Sequence, residues 1–125
     1  MQTSKRVLIV DDSHVQAKSL GMLLELMGHD VRLAYDGPGA LELSATFVPD
    51  VALIDVGLPG MNGYEVARRI RERPELRHIV LIAQTGWARE EDRENSREAG
   101  FDHHLSKPID HELLEKILAM PTAGR

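Results

Sequence analysis

Short apolar runs alternate five times with stretches of helical periodicity, and that alternation restricts this chain to one kind of architecture. A strand buried on both faces reads as continuous Val, Ile and Leu rather than as an alternation of apolar and polar residues. Val7-Leu8-Ile9-Val10 and Val51-Ala52-Leu53-Ile54 are runs of that kind. Strands separated by helices run parallel, with right-handed crossovers that place helices on both faces of one sheet. At 125 residues and 42% hydrophobic composition, the chain has the size of one domain with one core. The expectation is a single domain over 1–125, with its core over about 5–119 and a frayed tail over 120–125.

Strands are expected at 6–10, 30–35, 51–54, 78–83 and 101–105. Between them, Ser13 offers an N-cap to a first helix. Val15, Leu20, Met22, Leu23, Leu26 and Met27 are expected to share its apolar stripe, with Gly28 at the C′ position. Pro38 suits the first turn of a helix that continues over 40–47. Further helices are expected at 64–73, 89–99 and 109–119, the first of them ending before Pro74 and the second stopped by Gly100. Five parallel strands with the first near the centre fit a flavodoxin-like, doubly wound α/β sheet of order 2-1-3-4-5 with five helices.

The net charge of −5 and the lack of a basic tract argue against direct nucleic-acid binding. No apolar stretch has the length of a membrane span, so no membrane insertion is expected. The polar start, which leads directly into a strand, does not read as a signal peptide. Cysteine is absent, which removes thiol catalysis and disulfides and fits a cytoplasmic location.

Asp11 and Asp12 end the first strand, Asp55 ends the third, Thr85 ends the fourth, and Lys107 follows the fifth. In an open parallel sheet the carboxyl ends of the strands meet at one edge, and ligands bind there. Taken singly, an Asp-Asp pair serves as a helix-entry cap, a Lys-Pro as a turn and a Thr as a strand former. Their coincidence at one edge points to a shared site. Three carboxylates close together repel one another unless a cation intervenes. Hard oxygen ligands suit Mg²⁺, which neutralises an incoming phosphoryl oxygen. One carboxylate is then placed to attack phosphorus and form an acyl phosphate. Lys107 offers a mobile point charge and Thr85 a hydroxyl to the phosphoryl oxygens.

The residues Val7-Leu8-Ile9-Val10-Asp11-Asp12-Ser13, Asp55-Val56-Gly57-Leu58-Pro59-Gly60-Met61-Asn62-Gly63, Thr85-Gly86 and Lys107-Pro108 together resemble the receiver domain of two-component response regulators, free-standing or part of a hybrid kinase. The resemblance covers nearly the whole chain. It implies that Asp55 is the phosphoacceptor. It also implies that Asp12 and Asp55 bind Mg²⁺ directly, that Asp11 does so through water, and that the Gly57 carbonyl completes the set. Thr85 and Lys107 would contact the phosphoryl group, Gly86 and Pro108 would flank them, and the Lys107–Pro108 peptide would be cis.

The chain departs from the family pattern at three positions. His104 stands three before Lys107, where the family usually carries Tyr or Phe that reorients with the Thr. An imidazole there adds a pH dependence to switching, because it titrates near neutrality. Gly57, two after Asp55, replaces a side chain that in many relatives touches an attacking water. Trp87, two after Thr85, is placed to shield the acyl phosphate or anchor a partner. Asp102-His103-His104 superficially matches a phosphoesterase tripeptide, but further metal ligands are missing. The charged helix over 89–99 borders the fifth strand and the last helix, where receivers commonly meet partners.

The leading expectation is a phosphorylation-operated switch and not an enzyme acting on other substrates. Its donor would be a sensor histidine kinase or a histidine phosphotransfer protein, and its readout an unidentified downstream protein. One alternative is an Mg²⁺-dependent phosphohydrolase with an aspartyl nucleophile. That reading puts the nucleophile after the first strand and needs a substrate cap for which 125 residues leave no room. The other is a docking module that is never phosphorylated.

Overall fold

Apolar residues on both faces make each central strand a bridge between two layers of helices. In the computed structural model, which describes residues 4–86 and 90–121, β1 (Arg6–Val10) sends Leu8 and Val10 to one side and Val7 and Ile9 to the other. β3 (Val51–Asp55) does the same with Ala52 and Ile54 against Val51 and Leu53. β2 (Asp30–Ala34), β4 (Val80–Thr85) and β5 (His103–Ser106) complete a five-stranded parallel sheet of order β2-β1-β3-β4-β5. The expected doubly wound, flavodoxin-like topology is therefore correct.

Five α-helices are present among the described residues: α1 (His14–Leu26), α2 (Gly37–Thr46), α3 (Gly63–Arg71), α4 (Glu90–Ala99) and α5 (His111–Ala119). Helices α2, α3 and α4 bury Ala40, Val66, Ile70 and Ala99 on one face of the sheet. Helices α1 and α5 bury Ala17, Leu24, Leu114 and Leu118 on the other. Side-chain N-caps fix where helices start. Ser13 accepts from Gln16 N, Asp36 from Gly39 N, Asn62 from Glu65 N and Asp110 from Glu112 N. Gly28 takes a left-handed φ of 97° after α1, as a C′ glycine should.

Boundaries differ from the sequence reading by a few residues. β4 begins at Val80 rather than at 78, because Pro74–Leu76 form a 3₁₀ turn that uses up the preceding chain. β5 runs two residues later at its start than 101–105, since Phe101 N bonds back to Ser96 O at the end of α4. The expected first residue of α4, Arg89, and the tail at 122–125 lie outside the described residues.

The apolar stripe of α1 is a correction. Val15, Met22 and Leu26, expected in the core, are 76%, 65% and 85% exposed, while Leu20, Leu23 and Met27 are only partly buried. The buried line is Ala17, Gly21 and Leu24, an i, i+4, i+7 row. Small residues let the helix approach the sheet closely. A Cβ on Gly21 would lie 3.2 Å from Leu33 Cδ2, so the bulky apolar residues are turned outward. Among the described residues no helix is long and apolar enough to cross a membrane.

Candidate functional site at the carboxyl edge of the sheet

Register decides which side chains meet. Val10 pairs with Ile54, so the next residue on each strand, Asp11 and Asp55, emerges at the same level of the sheet. Asp55 pairs in turn with Gln84, and Thr85 with Ser106, which delivers Lys107 to the same edge. One carboxylate oxygen from each of Asp11, Asp12 and Asp55 lies within 4.8 Å of the others. Lys107 Nζ donates to Asp55 Oδ2 at 3.0 Å.

Local structure holds each group. Asp55 Oδ1 accepts from Gly57 N at 2.9 Å, and Asp11 Oδ1 accepts from Ser13 N at 2.9 Å. Lys107 N donates to Thr85 O at 2.7 Å, tying the two residues together through the main chain. The Lys107–Pro108 peptide is cis, as the resemblance implied. The start of α3 presses on the back of Asp55. A Cβ on Gly63 would lie 2.6 Å from both Asp55 O and Val56 Cα, so no larger residue fits without moving the strand end.

Asp11 and Asp55 are buried, whereas Asp12 is exposed. Burial pushes the Asp11 carboxyl above its usual range. The Ser13 N–H and the Lys107 ammonium pull it back, and the charges of Asp55 and Asp12 push it up again. A concentrated, under-neutralised set of carboxylate oxygens is the donor chemistry that a hard divalent cation fits. Thr85 is buried beside this cluster, with Gly86 exposed after it. A groove of about 320 Å³ opens from the site between α1 and the segment after β5. Asp11 and Lys107 line its polar end and Val15, Leu20, Pro108 and Ile109 its apolar end.

Residues 7–119 match the response regulator receiver domain. The chain belongs to that family. PleD of Caulobacter vibrioides, a response regulator, is 38% identical over 111 residues, which is 89% of this chain and 24% of PleD. The chain thus spans about a quarter of that relative. DivK of Brucella ovis, a polar-differentiation response regulator, is 37% identical over 106 residues, 85% of this chain and 86% of DivK. Among solved structures, the receiver domain of a sensor histidine kinase of Pseudomonas aeruginosa superposes with a TM-score of 0.83. It is 33% identical, the match covers 93% of this chain and 95% of that one, and a magnesium ion is coordinated in its active-site cleft.

Within this receiver domain the departures from the family pattern occupy distinct places. A Cβ on Gly57 would lie 3.4 Å from Asp55 Oδ1, so a side chain there would contact the carboxylate itself. His104 pairs with Ala83 across β4 and β5 and shares a hydrogen bond between Nδ1 and Ser96 Oγ, 3.2 Å. Ser96 Oγ also donates to Asp92 O at 2.9 Å, which uses its single proton. His104 Nδ1 is then the donor, and its Nε2 is buried with no partner among the described residues. Trp87 lies outside the described residues. The sequence reading did not single out Ser96. Its only signal there is a small residue at the core-facing position of an otherwise charged helix.

Proposed function

We propose that this receiver domain is a phosphorylation switch in which Asp55 is the phosphoacceptor. The carrying observation is the convergence of Asp11, Asp12 and Asp55 within 4.8 Å, with the Lys107 ammonium on Asp55 Oδ2. Asp11, Asp12, Asp55 and the Gly57 carbonyl would hold Mg²⁺, Asp11 through water. When bound, the cation neutralises negative charge building on the transferred phosphoryl oxygens. An Asp55 carboxylate oxygen attacks phosphorus, and the bond from phosphorus to the donor imidazole breaks. The electron pair leaves with the imidazole, and an acyl phosphate remains on Asp55. Lys107 exchanges its carboxylate partner for a phosphoryl oxygen, and the Thr85 hydroxyl takes another.

The donor is a sensor histidine kinase or a histidine phosphotransfer protein. The exposed apolar residues Val15, Met22 and Leu26, on the helix that lines the groove beside the site, supply it with a docking surface. A downstream protein reads the switched state, and the exchange takes place in the cytoplasm. The only chemistry catalysed is the gain and loss of the domain's own phosphoryl group. Gly86 and Pro108 flank the phosphoryl contacts, Gly57 leaves an attacking water without the side-chain contact that many relatives provide, and Trp87 shields the acyl phosphate or anchors a partner.

Incubation with acetyl phosphate and Mg²⁺, followed by intact mass measurement, tests this. One phosphoryl adduct is expected on the parent and none on Asp55→Asn. Lys107→Ala should slow adduct formation by about a hundredfold, as loss of a charge-stabilising group does. An adduct that persists in Asp55→Asn would move the acceptor elsewhere.

A further inference from the structure

The three carboxylates of the cluster are not held equally. Asp11 Oδ1 accepts from Ser13 N, and Asp55 accepts from Gly57 N and from Lys107 Nζ. Asp12 is exposed, and among the described residues its side chain makes no hydrogen bond or ion pair. Its place is therefore set by the main chain on either side of it.

That main chain is gripped twice by the end of β2. Before Asp12, Asp11 N donates to Ala34 O at 3.1 Å. After it, the His14 imidazole stacks on the Tyr35 ring, with centroids 3.7 Å apart and planes 9° from parallel. Ala34, the last residue of β2, and Tyr35 after it thus bracket the segment that carries Asp12. Their platform is itself anchored. Tyr35 is half-buried against the core beneath α1 and α5. Asp36 Oδ1 accepts from Gly39 N at the start of α2. A Cβ on Gly37 would lie 2.8 Å from Met61 Cβ, so the turn after Tyr35 is wedged against the loop before α3. His14, by contrast, is exposed, so truncating it leaves no core cavity. What the stack fixes is the direction in which the chain leaves β1.

We infer, on the reading of Asp11, Asp12 and Asp55 as metal ligands, that His14 and Tyr35 are positioning residues for the cation. Their stack holds Asp12 at the spacing from Asp11 and Asp55 that Mg²⁺ requires. Mg²⁺ demands near-ideal octahedral geometry, so a carboxylate without its own hydrogen bonds binds it well only when preorganised. Neither ring touches the ion.

The test is a calorimetric titration of the full chain with Mg²⁺, without phosphodonor. Tyr35→Ala and His14→Ala should each weaken binding about three- to tenfold, the span of a stacking interaction expressed as affinity. The double alanine variant should bind no more weakly than either single one, because the same contact is lost only once. Tyr35→Phe and His14→Phe keep a stacked ring and should stay within about twofold of the parent. A merely structural role would instead lower the urea midpoint of the alanine variants and leave the Mg²⁺ affinity of the folded protein unchanged. Equal affinity in Tyr35→Ala and the parent would overturn the inference. His14→Phe as weak as His14→Ala would overturn it too, by making the imidazole itself a ligand. A parent that takes up no Mg²⁺ would overturn the metal-ligand reading of the cluster, and this inference with it.

Discussion

The two halves of the sheet edge are built to different standards. On the β1–β3–α3 side, Asp11, Asp55 and Asn62 each accept a main-chain N–H, and α3 buries Val66, Ala67 and Ile70 completely. On the β4–α4–β5 side, α4 buries only Ser96 and Ala99. Four buried side-chain polar atoms lack a partner among the described residues: His78 Nε2, Gln84 Oε1, Asp92 Oδ2 and His104 Nε2. All of them lie between positions 78 and 104. A buried polar atom without a partner costs free energy, and a helix with few apolar contacts opens locally at low cost. The half that carries the acids is fixed, and the half beside Thr85 is the one able to yield.

The largest effect that would test this contrast comes from the neighbouring helices α3 and α4. Ile70→Ala in α3 should cost about 2–5 kcal/mol in urea unfolding, whereas Ser96→Ala in α4 should cost only about 1 kcal/mol. Amide exchange should likewise be faster along α4 than along α3. Equal losses from the two substitutions would erase the distinction between the halves.

A smaller effect probes the fixed half through its acids. Folded Asp11 holds its proton more tightly than unfolded Asp11, because burial raises its pKa from the ordinary 3.8. Its contribution is therefore full below the ordinary value and is lost as pH rises through the raised one. At neutral pH without Mg²⁺, Asp11→Asn should stabilise the domain by about 1 kcal/mol while keeping the Ser13 N–H acceptor. Below the ordinary pKa, and also in Mg²⁺, that gain should vanish. A gain independent of pH would point to packing rather than charge.

The smallest effect concerns the yielding half. His104→Phe removes a buried ring nitrogen with no partner among the described residues and leaves Ser96 bonded to Asp92 O, so stability should stay level or rise by less than about 1 kcal/mol. A marked loss of stability would mean that the imidazole is better satisfied than its contacts indicate.

The sequence made the sheet readable because continuous apolar runs such as Val51-Ala52-Leu53-Ile54 leave few alternatives to a doubly buried strand. The edge position of the acids followed directly. That Lys107 reaches Asp55 depends on the pairing of β4 with β5, which periodicity does not specify and the doubly wound order 2-1-3-4-5 supplied. Helix α1 was misread because it carries apolar residues on more than one side. Counting them favours Val15, Met22 and Leu26, while close approach to Leu33 favours Ala17 and Gly21.

Asp55 is a member of the strand ladder, paired with Gln84, and is not a loop residue beyond it. A nucleophile on a loop can be exposed, shielded or cut while the rest of the molecule stays folded. This one cannot leave its place unless β3 separates from β4 at the centre of the sheet. The acid is therefore held by the same main-chain ladder that holds the centre of the sheet together.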